Sequence, residues 1–125
     1  MTNPAPRARR RVLIVEDEQA LRTAYERHFN PRYDLVFAST GAEAMTKLAE
    51  HRPDVAVLDM RLPDTNGVDL LRRIRQSQPQ LPVIITTAYM SVEPQLRVLD
   101  LPHSGYIVKP FRVEELGQRI DAALV

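Results

Sequence analysis

The sequence predicts a doubly wound α/β domain of (βα)5 pattern. Five short apolar runs alternate with segments of helical period. Four of those runs end in polar groups capable of chemistry: Glu16-Asp17, Asp59, Thr87 and Lys109-Pro110. In a parallel sheet such ends lie side by side, along the edge where open α/β sheets place their sites.

The elements follow in order. Val12-Leu13-Ile14-Val15 forms the first strand, β1 (12–15). Leu21, Ala24, Tyr25, His28 and Phe29 fall at i, i+3, i+4, i+7 and i+8, one face of a helix, α1 (21–29). Strand β2 covers 34–38. Thr40-Gly-Ala-Glu43 is a capping box opening α2 (41–48), with Ala44, Met45 and Leu48 on its apolar face. Strand β3 (55–58) is apolar throughout and closes on Asp59. Val68, Leu71 and Ile74 mark α3 (68–74) behind Asn66-Gly67, and Asp64 and Asp69 are expected as loop or capping acids at its start. Strand β4 (83–86) precedes Thr87. Val92, Leu96 and Leu99 mark α4 (92–99), with Ser91 as N-cap. Pro94 fits only its first turn, and Pro102 disfavours helix at Leu101, so α4 is expected to be short. Strand β5 (106–108) precedes Lys109-Pro110, where a cis bond is expected. Val113, Leu116, Ile120, Ala123 and Leu124 mark α5 (113–124). Right-handed crossovers place helices on both faces of the sheet, so its central strands should be apolar on both sides, as β3 and β4 are.

The bulk numbers agree with one soluble domain. The chain has 125 residues, 44% of them hydrophobic, and no cysteine. That leaves no disulfide framework and no thiolate zinc site, and is compatible with the cytosol. No apolar run reaches the roughly 20 residues that span a bilayer, and no secretory signal is expected. The net charge of +1 is uneven, because Arg7, Arg9, Arg10 and Arg11 sit in an N-terminal stretch without acids. Residues 1–10 are therefore expected as a flexible basic arm and 11–125 as the folded domain.

The strand-end residues suit phosphoryl chemistry. Glu16, Asp17 and Asp59 would cluster three repelling carboxylates, which a hard cation relieves. Mg²⁺ prefers a few carboxylates together with water and phosphate oxygens. Asp59 is the candidate nucleophile, able to form an aspartyl phosphate. Lys109 can hold Asp59 ionised and then bind the added oxygens, and Thr87 can offer them a hydroxyl. Ala88, being small, leaves room for a donor. Other enzyme classes fit poorly. There is no glycine-rich phosphate loop and no nucleophile elbow. Arg61 stands where a two-aspartate phosphatase would want an acid. His28, His51 and His103 lack ligand spacing and are expected on the surface.

Taken together, these residues resemble the receiver domain of two-component response regulators, a CheY-like family. The resemblance covers roughly 11–124. It rests on Val-Leu-Ile-Val-Glu16-Asp17-Glu18, on Leu58-Asp59-Met60-Arg61-Leu62-Pro63-Asp64-Thr65-Asn66-Gly67, on Thr87-Ala88-Tyr89, and on Tyr106-Ile107-Val108-Lys109-Pro110-Phe111. It implies a flavodoxin-like parallel sheet of order 2-1-3-4-5. It also implies that Asp59 accepts a phosphoryl group from a phosphohistidine on a sensor histidine kinase or phosphotransfer protein. Mg²⁺ or Mn²⁺ would be held by Asp17, Asp59 and the backbone carbonyl of Arg61, with Glu16 acting through water. Thr87 and Lys109 would bind the phosphoryl oxygens. Thr87 and Tyr106 would form the switch that alters the α4-β5-α5 surface. Arg61 and Tyr89 would flank the phosphate and tune its lifetime by screening water.

The implied role is a cytoplasmic regulatory domain and not an enzyme acting on other substrates. It would control an output domain or partner protein and could pair with a second phosphorylated copy. It has no membrane role, and nucleic acid would be reached only through an output domain outside this chain. Two features depart from the family: Glu16 where many members have Asp, and Leu101-Pro102 where many have Gly-Ala. A phosphate-independent interaction module is the alternative, but the full set of Asp17, Asp59, Thr87 and Lys109 argues against it. A phosphatase acting on small molecules lacks a pocket signal, although acyl phosphates are expected as alternative donors.

Overall fold

The computed structural model describes residues 9–88, 101 and 103–125. The α4 segment, with Tyr89, Ser91, Pro94 and Pro102, lies outside the described residues. The observed elements are β1 (Arg11–Val15), α1 (Gln19–Phe29), β2 (Asp34–Ala38), α2 (Gly41–His51), β3 (Val55–Asp59), α3 (Gly67–Ser77), β4 (Val83–Ala88), β5 (Ser104–Lys109) and α5 (Val113–Ala123). All strand pairs are parallel, in the order β2-β1-β3-β4-β5. Among the described residues no helix is long and apolar enough to cross a membrane.

Strand alternation splits the core into two layers. Leu13, Val15, Ala56, Leu58, Val83 and Ile85 face Ala44 and Leu48 of α2 and Val68, Leu71 and Ile74 of α3. Val12, Ile14, Val55, Val57, Ile84 and Ile107 face Tyr25 and Phe29 of α1 and Leu116 and Ile120 of α5. Strands β1 and β3 are therefore apolar on both sides, as helices on both faces require.

The strands run longer than their apolar residues alone suggested. β3 takes in Asp59, β4 takes in Thr87 and Ala88, and β5 begins at Ser104. Backbone pairing continues wherever a parallel neighbour is available, whatever the side chain. The Lys109–Pro110 bond is cis.

The helix starts are capped by side chains. Thr40 accepts from the Glu43 amide at 3.1 Å, but Glu43 reaches back to the Ser39 amide, one residue before the expected partner. Asn66 accepts from the Asp69 amide at 2.9 Å and donates its own side-chain N–H to Asp69. Asp64 does not serve α3. Its carboxylate accepts from Gly41 and Ala42 at 2.8 and 3.0 Å, closing the first turn of α2 and holding its own pKa down. A tight turn in the β3–α3 loop, where Leu62 N–H donates to the Thr65 carbonyl at 3.1 Å, brings Asp64 back across the sheet edge.

At the opposite end, Tyr33 links the start of β2 to α5. Its buried ring lies against Phe29, and its hydroxyl donates to Asp121, which also pairs with Arg32. Burial and the Asp121 contact push the Tyr33 phenol up to about 12, while the same hydrogen bond lowers Asp121. Tyr33→Phe keeps the ring and removes this bond, and is expected to cost about 1.5 kcal/mol at pH 7. Asp121 is depressed in the folded state, so its share is present above its unfolded pKa and lost as pH falls through the folded one. The gap between wild type and variant in urea melts should therefore narrow in acid. A gap independent of pH would remove Asp121 from the account.

Candidate functional site

The carboxyl edge of the sheet gathers the polar strand ends. Asp59 pairs in register with Thr86, and Lys109 with Ala88. Ile107 and Lys109 share a face, as do Val57 and Asp59, so the ammonium and the carboxylate meet on the α1 side of the sheet. Lys109 Nζ lies 3.4 Å from Asp59 Oδ2 and 3.6 Å from Glu16 Oε1. The other Asp59 oxygen accepts from the Arg61 amide at 3.3 Å. Asp59 is 8% exposed and Glu16 only 2%, whereas Asp17 is exposed.

Glu16 continues the β1 direction, its amide donating to the Ala38 carbonyl at 2.9 Å. This turns its side chain into the protein, where Oε2 accepts from the Glu18 amide at 3.1 Å. Arg22 anchors the turn by donating to the Glu16 carbonyl at 2.7 Å. Burial, reinforced by the neighbouring Asp59 charge, pushes the Glu16 carboxyl up to about 7.

Oxygens of Glu16, Asp17 and Asp59 come within 4.8 Å of one another. Three hard oxygen donors, two of them buried and short of countercharge, fit a small divalent cation that keeps open positions for water and phosphate. Lys109 supplies one positive charge against three carboxylates, so the cluster carries an excess of negative charge.

Thr87 and Tyr106, expected as the switch pair, lie on the other face. Thr87 shares a face with Ile85, and Tyr106 pairs in register with Ile85, which makes Tyr106 the diagonal neighbour of Thr87. Thr87 is 5% exposed and donates its hydroxyl to the Ala88 carbonyl at 3.0 Å. Tyr106 is half-buried against the α2–α3 layer. Of the predicted residues, Glu16, Asp17, Asp59 and Lys109 are brought together, Arg61 touches the group through its amide, Thr87 and Tyr106 lie behind it, and Tyr89 is outside the described residues.

Sequence reasoning missed two groups. Thr86, fully buried, lies directly opposite Asp59. Tyr25, on the apolar stripe of α1, is buried close enough that the Glu16 and Asp59 charges add to burial in driving its phenol well above its ordinary range. It also lines a groove of about 450 Å³ between α1 and the residues following β5, with Leu21, Ala24, Lys109 and Phe111.

Comparison with known proteins agrees with this arrangement. The family model of the response regulator receiver domain matches residues 12–121. Response regulator MprA of Mycobacterium leprae (strain TN) is 38% identical over 116 residues, spanning 91% of this chain and 50% of that protein. The chain thus spans about half the length of the curated relatives it matches. Among solved structures, the non-phosphorylated HemR receiver domain from Leptospira biflexa aligns with a TM-score of 0.83 at 34% identity, covering 93% of this chain and 94% of that one. The chemotaxis response regulator CheY4 of Vibrio cholerae aligns with a TM-score of 0.84 at 28% identity, covering 94% and 100%. With the sheet order, the acidic edge and these matches in agreement, the chain belongs to the receiver-domain family of two-component response regulators.

Proposed function

We propose that this domain is a phosphorylation-driven switch, with Asp59 accepting a phosphoryl group from a phosphohistidine on a sensor kinase or phosphotransfer protein. The observation that carries this is the buried Asp59 carboxylate held 3.4 Å from Lys109 beside two further acids. The Lys109 ammonium beside it orients the Asp59 carboxylate, the nucleophile of the transfer. Glu16, Asp17, Asp59 and the Arg61 carbonyl are the groups that would hold Mg²⁺ or Mn²⁺. When bound, the ion offsets the charge on the transferring phosphoryl oxygens.

The Asp59 oxygen attacks phosphorus in line, and the donor's bond to phosphorus breaks with its electron pair leaving on the donor. Lys109 stays with the new phosphoryl oxygens, and the Thr87 hydroxyl turns from the Ala88 carbonyl to join it. That turn vacates space on the face where Tyr106 is half-buried, so Tyr106 moves in and changes the surface around β5 and α5. Inverting a 1:99 population this way requires about 5.5 kcal/mol of preference. The altered surface acts on an output domain, a partner protein or a second copy of the chain.

The test is incubation with Mg²⁺ and acetyl phosphate, read by intact mass and peptide mapping. A phosphoryl adduct on wild type and none on Asp59→Asn is expected. No adduct, with cation binding intact, would point to a phosphate-independent module.

A pH signature accompanies the acidic cluster. In protein kept in EDTA, Glu16 is raised from 4.5 to about 7, so between those values the folded state holds a proton that the unfolded chain has released. Stability therefore falls as pH rises through this window, by roughly 3 kcal/mol from this group. Mg²⁺ is expected to raise Tm more at pH 8 than at pH 5. An equal rise at both would show that Glu16 is not part of the cation site.

A further inference from the structure

Midway along α5, Leu116 and Ile120 are fully buried against the sheet. The packing opens towards the starts of β4 and β5, at the end of the sheet away from Asp59. A groove of about 400 Å³ lies there, with Ile84 and Gly105 from the strands and Ala122 and Ala123 from α5 among its lining residues. Gly105 lies within β5 and pairs in register with Ile84. A glycine inside a strand weakens it, because it packs no side chain and loses more chain freedom on folding, and it often marks the close approach of a ligand. Neither conformation nor crowding requires glycine here. Its φ is not positive, and a Cβ on it would meet nothing within 4 Å beyond its chain neighbours, among the described residues. What the glycine leaves is open space beside a layer that is otherwise close-packed. The polar side chains lining the groove, among the described residues, are His103, Ser104 and Arg119, none of them acidic.

We propose that this groove binds a small aromatic carboxylate, its anionic end on Arg119 and its ring against Gly105. The volume falls in the range of small-molecule sites, roughly 300–1,000 Å³. Arg119 is exposed and is held at the groove by donating to the Tyr106 carbonyl at 3.3 Å. A guanidinium presents five N–H donors in a planar fork, which a carboxylate matches with two parallel hydrogen bonds. One guanidinium suits a monoanion. The body of the ligand must be apolar, because Ile84, Ala122 and Ala123 offer it no side-chain hydrogen bond. A peptide segment would bring backbone amides and carbonyls that these side chains leave unpaired. A ring brings none, and its flat face can lie on the bare backbone at Gly105. The site is separate from the phosphoacceptor, since Thr87 and Lys109 stand towards the opposite ends of the same two strands.

The test titrates the protein with cinnamate and with cinnamyl alcohol, which keeps the ring and lacks the charge, and follows backbone amides by NMR. Cinnamate is expected to shift the Ile84, Gly105 and Ala122 amides saturably and to bind roughly tenfold more tightly than the alcohol. Arg119→Gln should weaken cinnamate roughly tenfold and leave the alcohol within about twofold. Gly105→Val puts a branched side chain into the open space. It should abolish binding of both probes while its urea midpoint stays at or above that of wild type, because valine suits a strand position with room for it. No saturable shift at Gly105, or equal affinities for the two probes on wild type, would overturn the site. So would cinnamate binding that survives Gly105→Val, or one that Arg119→Gln leaves unchanged.

Discussion

Lys109→Met is expected to slow phosphorylation of Asp59 by roughly 100-fold, the loss that follows removal of one fixed charge-stabilising donor from a site of this kind. Methionine keeps the length and the apolar stem, so the change removes the ammonium and little else. The loss has two sources. During transfer, negative charge spreads over phosphoryl oxygens that no longer have Lys109 beside them. Before transfer, Asp59 and Glu16 face each other without the cation that stands 3.4 and 3.6 Å from them. Glu16 already titrates near 7 with Lys109 pulling it down, so the variant's Glu16 must titrate higher still. Rates measured with saturating acetyl phosphate from pH 6 to 9 would separate the two. A loss that shrinks at high pH belongs to protonation of Glu16, and one constant with pH belongs to the missing charge on the phosphate. A rate within threefold of wild type at every pH would remove Lys109 from the chemistry.

Why the site was largely legible, and where it was not, follows from the range of each interaction. Asp59, Glu16-Asp17 and Lys109 interrupt apolar runs, and a charged residue at the end of a buried strand is conspicuous in sequence alone. Tyr25 and Thr86 are not. Tyr25 falls at i+4 on the apolar face of α1, where a large ring is the ordinary core choice, and threonine is a common strand former. Only the register of β3 against β4 places Thr86 opposite Asp59, and only the tertiary packing shows that Tyr25 is buried beside the Glu16 and Asp59 charges. Asp64 misled for the same reason. Sequence proximity assigns it to α3, whereas the turn at Leu62–Thr65 swings it to α2, 23 residues earlier. Caps that come from the adjacent residues, as at Thr40 and Asn66, could be read locally.

Gly67→Val is expected to destabilise the domain by at least about 3 kcal/mol and to take the phosphoacceptor with it. Gly67 opens α3 directly behind β3, its amide donating to the Met60 carbonyl at 2.8 Å. A Cβ there would stand 3.0 Å from Met60 Cα, 3.1 Å from the Asp59 carbonyl oxygen and 3.3 Å from Ile85 Cγ2. Two of these three atoms are backbone and cannot swing aside, so β3 and α3 must separate. Alanine makes the first clash, and valine adds two methyl groups beyond it in a layer that is already close-packed. Because the displaced backbone carries Asp59, the strain falls on the atoms that fix the carboxylate against Lys109. Gly67→Ala should therefore retain a folded domain in urea melts while phosphorylating more slowly than its stability loss alone accounts for at 25 °C. A Gly67→Ala protein with wild-type rate and reduced stability would mean that α3 absorbs the displacement and that the β3 end is held by its neighbours in the sheet.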